Sequence, residues 1–199
     1  MAYLYNMKKI LSGLFFLLCF QSAWAQKDSL QFDENNKYVY YRVVDKPNIT
    51  ADTLYNRAWD FAKSFNPKSK PEKGQAENAL NTSGKFIVYN GVSVMKKETG
   101  EIRYILNIQS KDQRYRYKIS SFVFIPYKRD RFGNMTAVPG VEVPLEKLLS
   151  AYSQREADNY LSQTGAFCIA AANRLKLYMD KQPVIKKEEA VKKVATDKW

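Results

Sequence analysis

The segment "SKDQRYRYKIS", Ser110 to Ser120, combines residue types that bind anionic partners. Guanidinium groups bind phosphate and carboxylate in bidentate fashion, and aromatic rings stack on bases and sugars. The same alternation is typical of a half-buried β-strand with one charged face. The basic members of the segment alternate with apolar ones, in the order Arg114, Tyr115, Arg116, Tyr117, Lys118, Ile119. Their chemistry therefore depends on whether the two sets share a face.

The flanking residues predict a hairpin that separates the two sets. With Lys111 and Asp112 at the centre of a two-residue turn, Ile108 faces Tyr115, and further apolar pairs follow on the same side. A slip of one residue would bury the arginines, and an unpaired buried charge costs several kcal/mol. We therefore expect the tyrosines in the core beneath the helices, where cross-strand pairs stabilise a sheet.

The basic residues are then predicted to lie on the open face of the sheet, where they form a candidate binding surface. The alternative is solvated charge that keeps the face and edge of the sheet from aggregating. The candidate surface comprises Arg103, Asn107, Arg114, Arg116 and Lys118.

A second candidate lies in residues 126–144, which we predict to be a long loop. Long loops in compact domains are often functional, and this one could hold a glycan or an anion by ring stacking and by arginine contacts. The alternative is a disordered insertion. Phe122 and Phe124, just before this stretch, share the parity of the basic residues, and we expect a sheet edge or the next segment to cover them. The candidate residues of the loop are Tyr127, Lys128, Arg129, Arg131 and Phe132.

Catalytic chemistry has little support in the sequence. The chain has no histidine, which removes the usual general base near neutral pH and the commonest metal ligand. Cys168 lies in "GAFCIAAA" on an apolar helical face, which predicts a buried structural thiol. No phosphate-binding glycine loop and no zinc or EF-hand spacing is present. We therefore expect no enzyme, no cofactor and no metal site, with carboxylates brought together by folding as the less favoured alternative.

The N-terminal segment has the features of a secretory signal peptide. Lys8 and Lys9 precede an apolar run over residues 10–20, and Ala23-Trp24-Ala25 fits a cleavage site with small residues. Residues 1–25 are therefore predicted to be removed. The mature protein is expected in the periplasm or the outer cell envelope.

Alternatives to a cleaved signal peptide fit the segment less well. The apolar run is too short to remain as a transmembrane helix, and no other stretch could span a membrane. Lipidation at Cys19 would require a small residue just before it, where Leu18 stands. Met7 begins a more typical signal peptide than Met1.

The net charge predicts anionic partners. The chain carries a formal charge of +12, and removal of Lys8 and Lys9 with the signal peptide leaves +10. The expected partner is an envelope protein or an anionic polymer, glycan or lipid headgroup, and export disfavours nucleic acid. One cysteine, Cys168, remains after cleavage, so no disulfide can form within the mature chain.

The remaining sequence predicts one α+β domain of two layers, with a curved antiparallel sheet and helices on one face. The element order is β-α-β-β-β(-β)-α. A strand over 37–45 precedes a helix capped by Thr50, and Pro67 ends that helix. The later strands are predicted over 85–97, 101–110 and 114–125, with a turn at 98–100 and a flexible connection over 66–84.

The predicted organisation has five parts. A helix after Pro144 can pack on the sheet or on a partner, and the tail is a candidate for contact with an anionic membrane surface. The parts are a signal peptide (1–25), a loose lead-in (26–37), the α+β domain (38–149), a C-terminal helical extension (150–182) and a charged mobile tail (183–199).

Several segments resemble the DUF4468 family of exported Gram-negative proteins, a domain of unknown function with a fold described as TBP-like. They are "YRVVD…ITADTLYNRAWDFAKSF", "GKFIVYNG", "YILNIQSKDQRYRYKISSF" and "PLEKLL", within about residues 38–149. "KDxRYRY" is the most specific, and the family pattern often has glycine where Gln113 stands. The resemblance implies a curved antiparallel sheet with helices on its convex side. It implies neither DNA binding nor catalytic residues, because a fold does not determine a function.

Taken together, these features predict a non-enzymatic binding or scaffold module of the cell envelope. Its contact region would be the open sheet face or the stretch 126–144. A direct binder of anionic polymer, glycan or lipid headgroup is the alternative.

Overall fold

The computed structural model describes residues 30–90 and 96–181. The predicted signal peptide and charged tail therefore lie outside the described residues. The strands are β1 (Gln31–Phe32), β2 (Tyr38–Asp45), β3 (Glu72–Lys73), β4 (Ala79–Asn90), β5 (Lys97–Lys111), β6 (Arg114–Arg129), β7 (Met135–Ala137) and β8 (Val143–Pro144). The helices are α1 (Ala51–Phe65), a 3-10 helix (Leu145–Lys147), α2 (Leu148–Ala151) and α3 (Gln154–Met179).

The strands form one antiparallel sheet with the order β1-β2-β6-β5-β4-β3, and β7 and β8 add to β6. Helices α1 and α3 pack against the sheet and against each other on one side. The other side, called the open face below, carries the charged residues of β5 and β6. The predicted α+β architecture with helices on one face is thus confirmed.

Helix α1 begins and ends where its sequence indicates. The Thr50 side chain accepts a hydrogen bond from the Thr53 N–H, and Asp52 lies in the first turn. The carboxylate of Asp112, in the turn between β5 and β6, also accepts from the Ala51 N–H at 2.8 Å. The buried stripe of the helix faces the sheet, and its members are Leu54, Ala58, Phe61 and Ala62.

Helix α3 packs on its own domain. Ser153 and Glu156 form a capping box at its start, and its buried side chains join the core that contains β4, β5 and β6. The extension predicted over 150–182 therefore shares the core of residues 38–149. The predicted lead-in also includes an ordered strand, because β1 pairs with β2.

Amide side chains of α3 also bond the outer edge of β4. The Tyr89 N–H donates to Gln163 Oε1 at 3.0 Å, and the Tyr89 carbonyl accepts from Asn159 Nδ2 and Gln163 Nε2 at 2.8 Å each. Near the other end of the strand, β3 pairs with Leu80 and Asn81. Backbone groups near both ends of this edge strand therefore already have hydrogen-bond partners.

The predicted register of the β5–β6 hairpin was wrong by one position at the turn. The turn is centred on Asp112 and Gln113, so Ile108 pairs with Tyr117 instead of Tyr115. Backbone hydrogen bonds from Lys46 N–H to Gln113 carbonyl and from Gln113 N–H to Ile49 carbonyl hold the turn against the β2–α1 connection. Gln113 has φ 62, which is the left-handed conformation that glycine adopts most readily.

The predicted faces are still correct, because the cross-strand partner of each residue shifts by two positions. Tyr115, Tyr117 and Ile119 are buried, while Arg114, Arg116 and Lys118 are exposed. A shift of two preserves the side on which every side chain lies.

A β-bulge at Ser121 corrects the expectation for Phe122 and Phe124. The β5–β6 register shifts between Arg103 and Ile105, opposite Ser121, which has φ 57. One extra residue reverses the alternation, so both phenylalanines are buried in the core and do not lie at a covered edge.

Two other boundary predictions were wrong. Strand β4 begins at Ala79, six residues before the predicted Lys85, because Leu80 and Thr82 are buried and alternate with the more exposed Asn81 and Ser83. The turn predicted over 98–100 lies inside β5. A Cβ on Gly100 would be 2.4 Å from the Ile125 carbonyl oxygen, so this glycine permits a close approach of two strands.

We expect the Ser121 conformation to dominate the response to substitution there. Ser121→Val should destabilise the fold by about 1–3 kcal/mol, because a β-branched residue is strained at positive φ, and Ser121→Gly should be neutral or stabilising. Urea unfolding measures the difference. Ser120→Val, one position earlier on the open face, is the matched control and should change stability by less than about 0.5 kcal/mol. Equal effects at both positions would contradict the bulge.

Candidate functional site

The open face carries a row of cations that we call the basic ladder: Lys111, Arg114, Arg116 and Lys118. Arg114, Arg116 and Lys118 alternate along β6, so neighbouring side chains are about 7 Å apart along the strand. Lys111 is the residue that sequence reasoning missed. It was assigned to the turn, but it pairs with Arg114 at the end of β5.

The polar partners of the ladder leave much of its charge available. Arg116 Nε donates to the amide oxygen of Gln109 at 2.8 Å, which orients the guanidinium without neutralising it. Arg114 Nε lies 3.6 Å from a carboxylate oxygen of Asp45, and both side chains are exposed. An exposed pair of this kind contributes at most about 1 kcal/mol. Asn107, on β5, donates to Asn81 Oδ1 at 2.7 Å and lies on the same face.

Two apolar side chains of β2 lie beside the ladder. Tyr41 pairs with Lys118 and is 37% exposed, and Val43 pairs with Arg116 and is 51% exposed. They line a cavity of about 260 Å³ together with Arg114 and Arg116. The inward tyrosines of β6 are not available to a ligand, but Tyr41 places one ring among the cations. The alternation of inward and outward residues within 37–45 could have identified Tyr41 as an outward-facing residue.

A larger cavity, which we call the bend groove, lies further along the same face, where the Ser121 bulge interrupts the β5–β6 register. Its volume is about 720 Å³. The segment that follows α1, residues 66–69, forms one side of the groove, and Glu142 forms part of another. Its apolar lining is formed by Phe65, Pro67, Tyr104, Ile105 and Val123.

Tyr104 reaches the inner wall of the bend groove. Its hydroxyl donates to Asn66 Oδ1 at 3.0 Å, and burial raises its pKa to about 12. A Cβ on Gly84 would lie 2.4 Å from this hydroxyl, so the absence of a side chain at Gly84 permits the contact. The hydroxyl is therefore a fixed neutral donor at physiological pH.

A buried carboxylate organises the charges next to the groove. Glu101 is 2% exposed, and it accepts hydrogen bonds from Lys85 Nζ at 2.6 Å and Tyr127 hydroxyl at 2.7 Å. Arg103 Nε lies 3.4 Å from its other oxygen, and Arg103 Nη1 donates to Glu142 at 3.0 Å. Burial alone would raise the pKa of Glu101, but these hydrogen bonds and the two cations hold it below its usual range.

The predicted loop over 126–144 is instead a β-hairpin. Tyr127, Lys128 and Arg129 belong to β6 and pair with β7. The Asp130 carboxylate accepts from the N–H groups of Phe132 and Asn134 at 2.8 Å each, which closes the turn. Residues 126–137 are therefore an ordered β-hairpin, and the irregular part of the stretch is limited to residues 130–134 at the turn and 138–142.

The hairpin separates the candidate residues of this stretch. The Tyr127 hydroxyl donates to Glu101, so it already has a structural partner, and burial together with this hydrogen bond raises the pKa of Tyr127 to about 12. At the tip, Phe132 is 75% exposed and the Arg131 guanidinium lies 4.7 Å from its ring centroid. Of the predicted surface, the structure brings Asn107 beside Lys118 and the two arginines of β6. Arg103 lies apart from them, beyond the register shift, where it pairs with Glu101 and Glu142.

The described residues offer no assembled centre for metal or thiol chemistry. Cys168 is fully buried in α3, as predicted, and burial raises its pKa to about 12. Within residues 30–90 and 96–181, no group of three or more His, Cys, Asp or Glu side chains is arranged to hold a metal ion. No helix in these ranges is both long and apolar enough to cross a membrane.

We expect Glu101 to make the fold sensitive to acid. Because its pKa is lowered on folding, its contribution is present above the ordinary value of 4.5 and is lost as the pH falls below that value. Glu101→Gln should therefore reduce the free energy of unfolding by about 1–3 kcal/mol at neutral pH, and the difference from wild type should shrink in acid. Urea unfolding between pH 7 and 3.5 measures it. Glu34→Gln, at an exposed position, should show neither effect, and a pH-independent difference at Glu101 would contradict the assignment.

Comparison with known proteins agrees with this architecture. The model of the family described as "Domain of unknown function (DUF4468) with TBP-like fold" matches residues 40–125. No curated protein matches the chain.

Two crystal structures share the fold. A TBP-like protein from Parabacteroides distasonis is 16% identical, with a TM-score of 0.57, and the alignment covers 74% of this chain and 95% of that protein. A DUF4468 family protein from Bacteroides ovatus is 9% identical, with a TM-score of 0.56, and the alignment covers 78% of this chain and 93% of that protein. At these identities the likeness establishes the fold and not a function. Residues 40–125 of this chain therefore match the DUF4468 family model, and the chain has the TBP-like fold.

Proposed function

We propose that the chain is an exported, non-enzymatic binding module of the cell envelope, and that its open sheet face holds an anionic polymer. The observation that carries the proposal is the basic ladder. Three of its four cations recur about every 7 Å along β6, which suits a chain of repeated anionic groups better than a single small anion. The ladder lies on a face that the helices leave uncovered.

The partners of the ladder support this proposal. Arg116 is oriented by an amide, and the Asp45 contact of Arg114 is exposed and weak. A polymer could therefore bind these guanidinium groups without first breaking a buried ion pair. Tyr41 and Val43 add an apolar strip on which a sugar ring or a methylene segment could rest.

The carboxylates of the open face favour binding over catalysis. Arg103 joins Glu101 and Glu142, which lie on either side of it. A general acid requires a raised pKa, whereas the pKa of Glu101 is lowered. Glu101 is better suited to holding Lys85, Arg103 and Tyr127 in place.

We expect charge reversal in the ladder to weaken polymer binding strongly. Arg114→Glu with Arg116→Glu should weaken association with immobilised dextran sulfate by at least about tenfold, because two attractive contacts become repulsive. Added salt should weaken wild-type binding, since exposed charges are screened. Biolayer interferometry at several salt concentrations measures both effects.

The matched control is Lys147→Glu with Arg155→Glu. These exposed residues lie in the 3-10 helix and in α3, away from the ladder, and the double substitution makes the same change in net charge. It should alter binding less than threefold. Neutral dextran should not bind the wild type. If the two double variants lost equal affinity, net charge and not the ladder would be responsible, and the proposal would fail.

Export is the second part of the proposal, and the N-terminal sequence supports it. Expression of the full chain in a Gram-negative host should yield a periplasmic protein that begins at Gln26, as measured by intact mass and N-terminal sequencing. Ala25→Arg should block cleavage, whereas Ala25→Gly should be processed normally because the site accepts small residues. An uncleaved wild-type protein in the cytoplasm would contradict export.

A further inference from the structure

We infer that the bend groove is a second binding site, which takes a small amphiphile with an apolar body and one anionic group. This site shares no residue with the basic ladder. It therefore stands or falls independently of the proposed polymer binding.

The size and lining of the groove fit a small ligand. Cavities of about 300–1,000 Å³ hold most small-molecule ligands, and this one is about 720 Å³. Ile105 is 44% exposed on the open face, although the same strand buries its other apolar side chains. An apolar body seated on Ile105 and Val123 would remove this surface from water, which stabilises a complex.

The charges at the rim specify one anionic group. Lys85 and Arg103 share the Glu101 carboxylate, and Arg103 also bonds Glu142. The third cation, Lys68, is exposed and makes no hydrogen bond or ion pair with any residue that the structure describes. Three cations thus face two carboxylates, and a single anion on the ligand would balance the rim.

The sides of the groove explain why an extended polymer is not its ligand. The segment from Phe65 to Ser69 bounds it on one side, where Ser69 Oγ lies 3.3 Å from Ser83 Oγ, and Glu142 stands on the lining with Arg103. A chain of repeated anions would meet Glu142, whereas one anionic group near Lys68 would not. The groove and the ladder therefore select different ligands on one face.

Two fluorescent probes with the same apolar body test the inference. The probe 8-anilinonaphthalene-1-sulfonate carries one anionic group, and N-phenyl-1-naphthylamine carries none. Titration of the folded wild-type protein should show one saturable site that prefers the sulfonate. Ile105→Glu should weaken sulfonate binding by at least about tenfold, because it places a carboxylate on the apolar floor. Lys68→Ala should reduce the preference for the sulfonate over the neutral probe.

Matched variants separate the groove from the rest of the open face. Val43→Glu makes the same change at an exposed valine beside the ladder and should alter sulfonate affinity less than threefold, as should Arg114→Glu with Arg116→Glu. Urea unfolding confirms that each variant is folded. The inference is overturned if neither probe saturates, if both bind the wild type equally, or if Ile105→Glu and Lys68→Ala bind as the wild type does.

Discussion

The β5–β6 pairing is the constraint on which the rest of the structure depends. These two long strands place tyrosine, isoleucine and phenylalanine beneath α1 and α3, and the same alternation places arginine and lysine on the other side. Burying either arginine would cost more free energy than a local distortion, so the strands keep their faces even where the turn differs from expectation. The core and the charged face are therefore two consequences of one register.

The single extra residue at Ser121 divides the open face into two regions. On the turn side of the bulge, three of the outward-facing β6 residues are basic, and they form the ladder together with Lys111. On the far side the alternation reverses, the phenylalanines enter the core, and the groove opens around Ile105 and Val123. A regular strand would have turned Phe122 and Phe124 outward and left no groove of this kind.

Much of this arrangement follows from local sequence, and the remainder depends on contacts between distant segments. The cap at Thr50, the stripe of α1 and the two faces of β6 follow from periodicity and propensity. The turn at Gln113 does not, because its position is set by hydrogen bonds to the β2–α1 connection. Gly100 resembles a turn residue, although its role is to admit the Ile125 backbone. The burial of Glu101 could not be predicted from the sequence, because its partners Lys85, Arg103 and Tyr127 come from three different strands.

The amides that α3 presents to Tyr89 have a consequence for assembly. Asn159 and Gln163 occupy the backbone groups through which another polypeptide would join the sheet at that end, and β3 occupies those at the other. Copies of this domain would therefore meet a barrier to stacking strand by strand into a continuous ribbon. An incoming strand would have to displace these amides and β3 before it could pair along the whole length of β4.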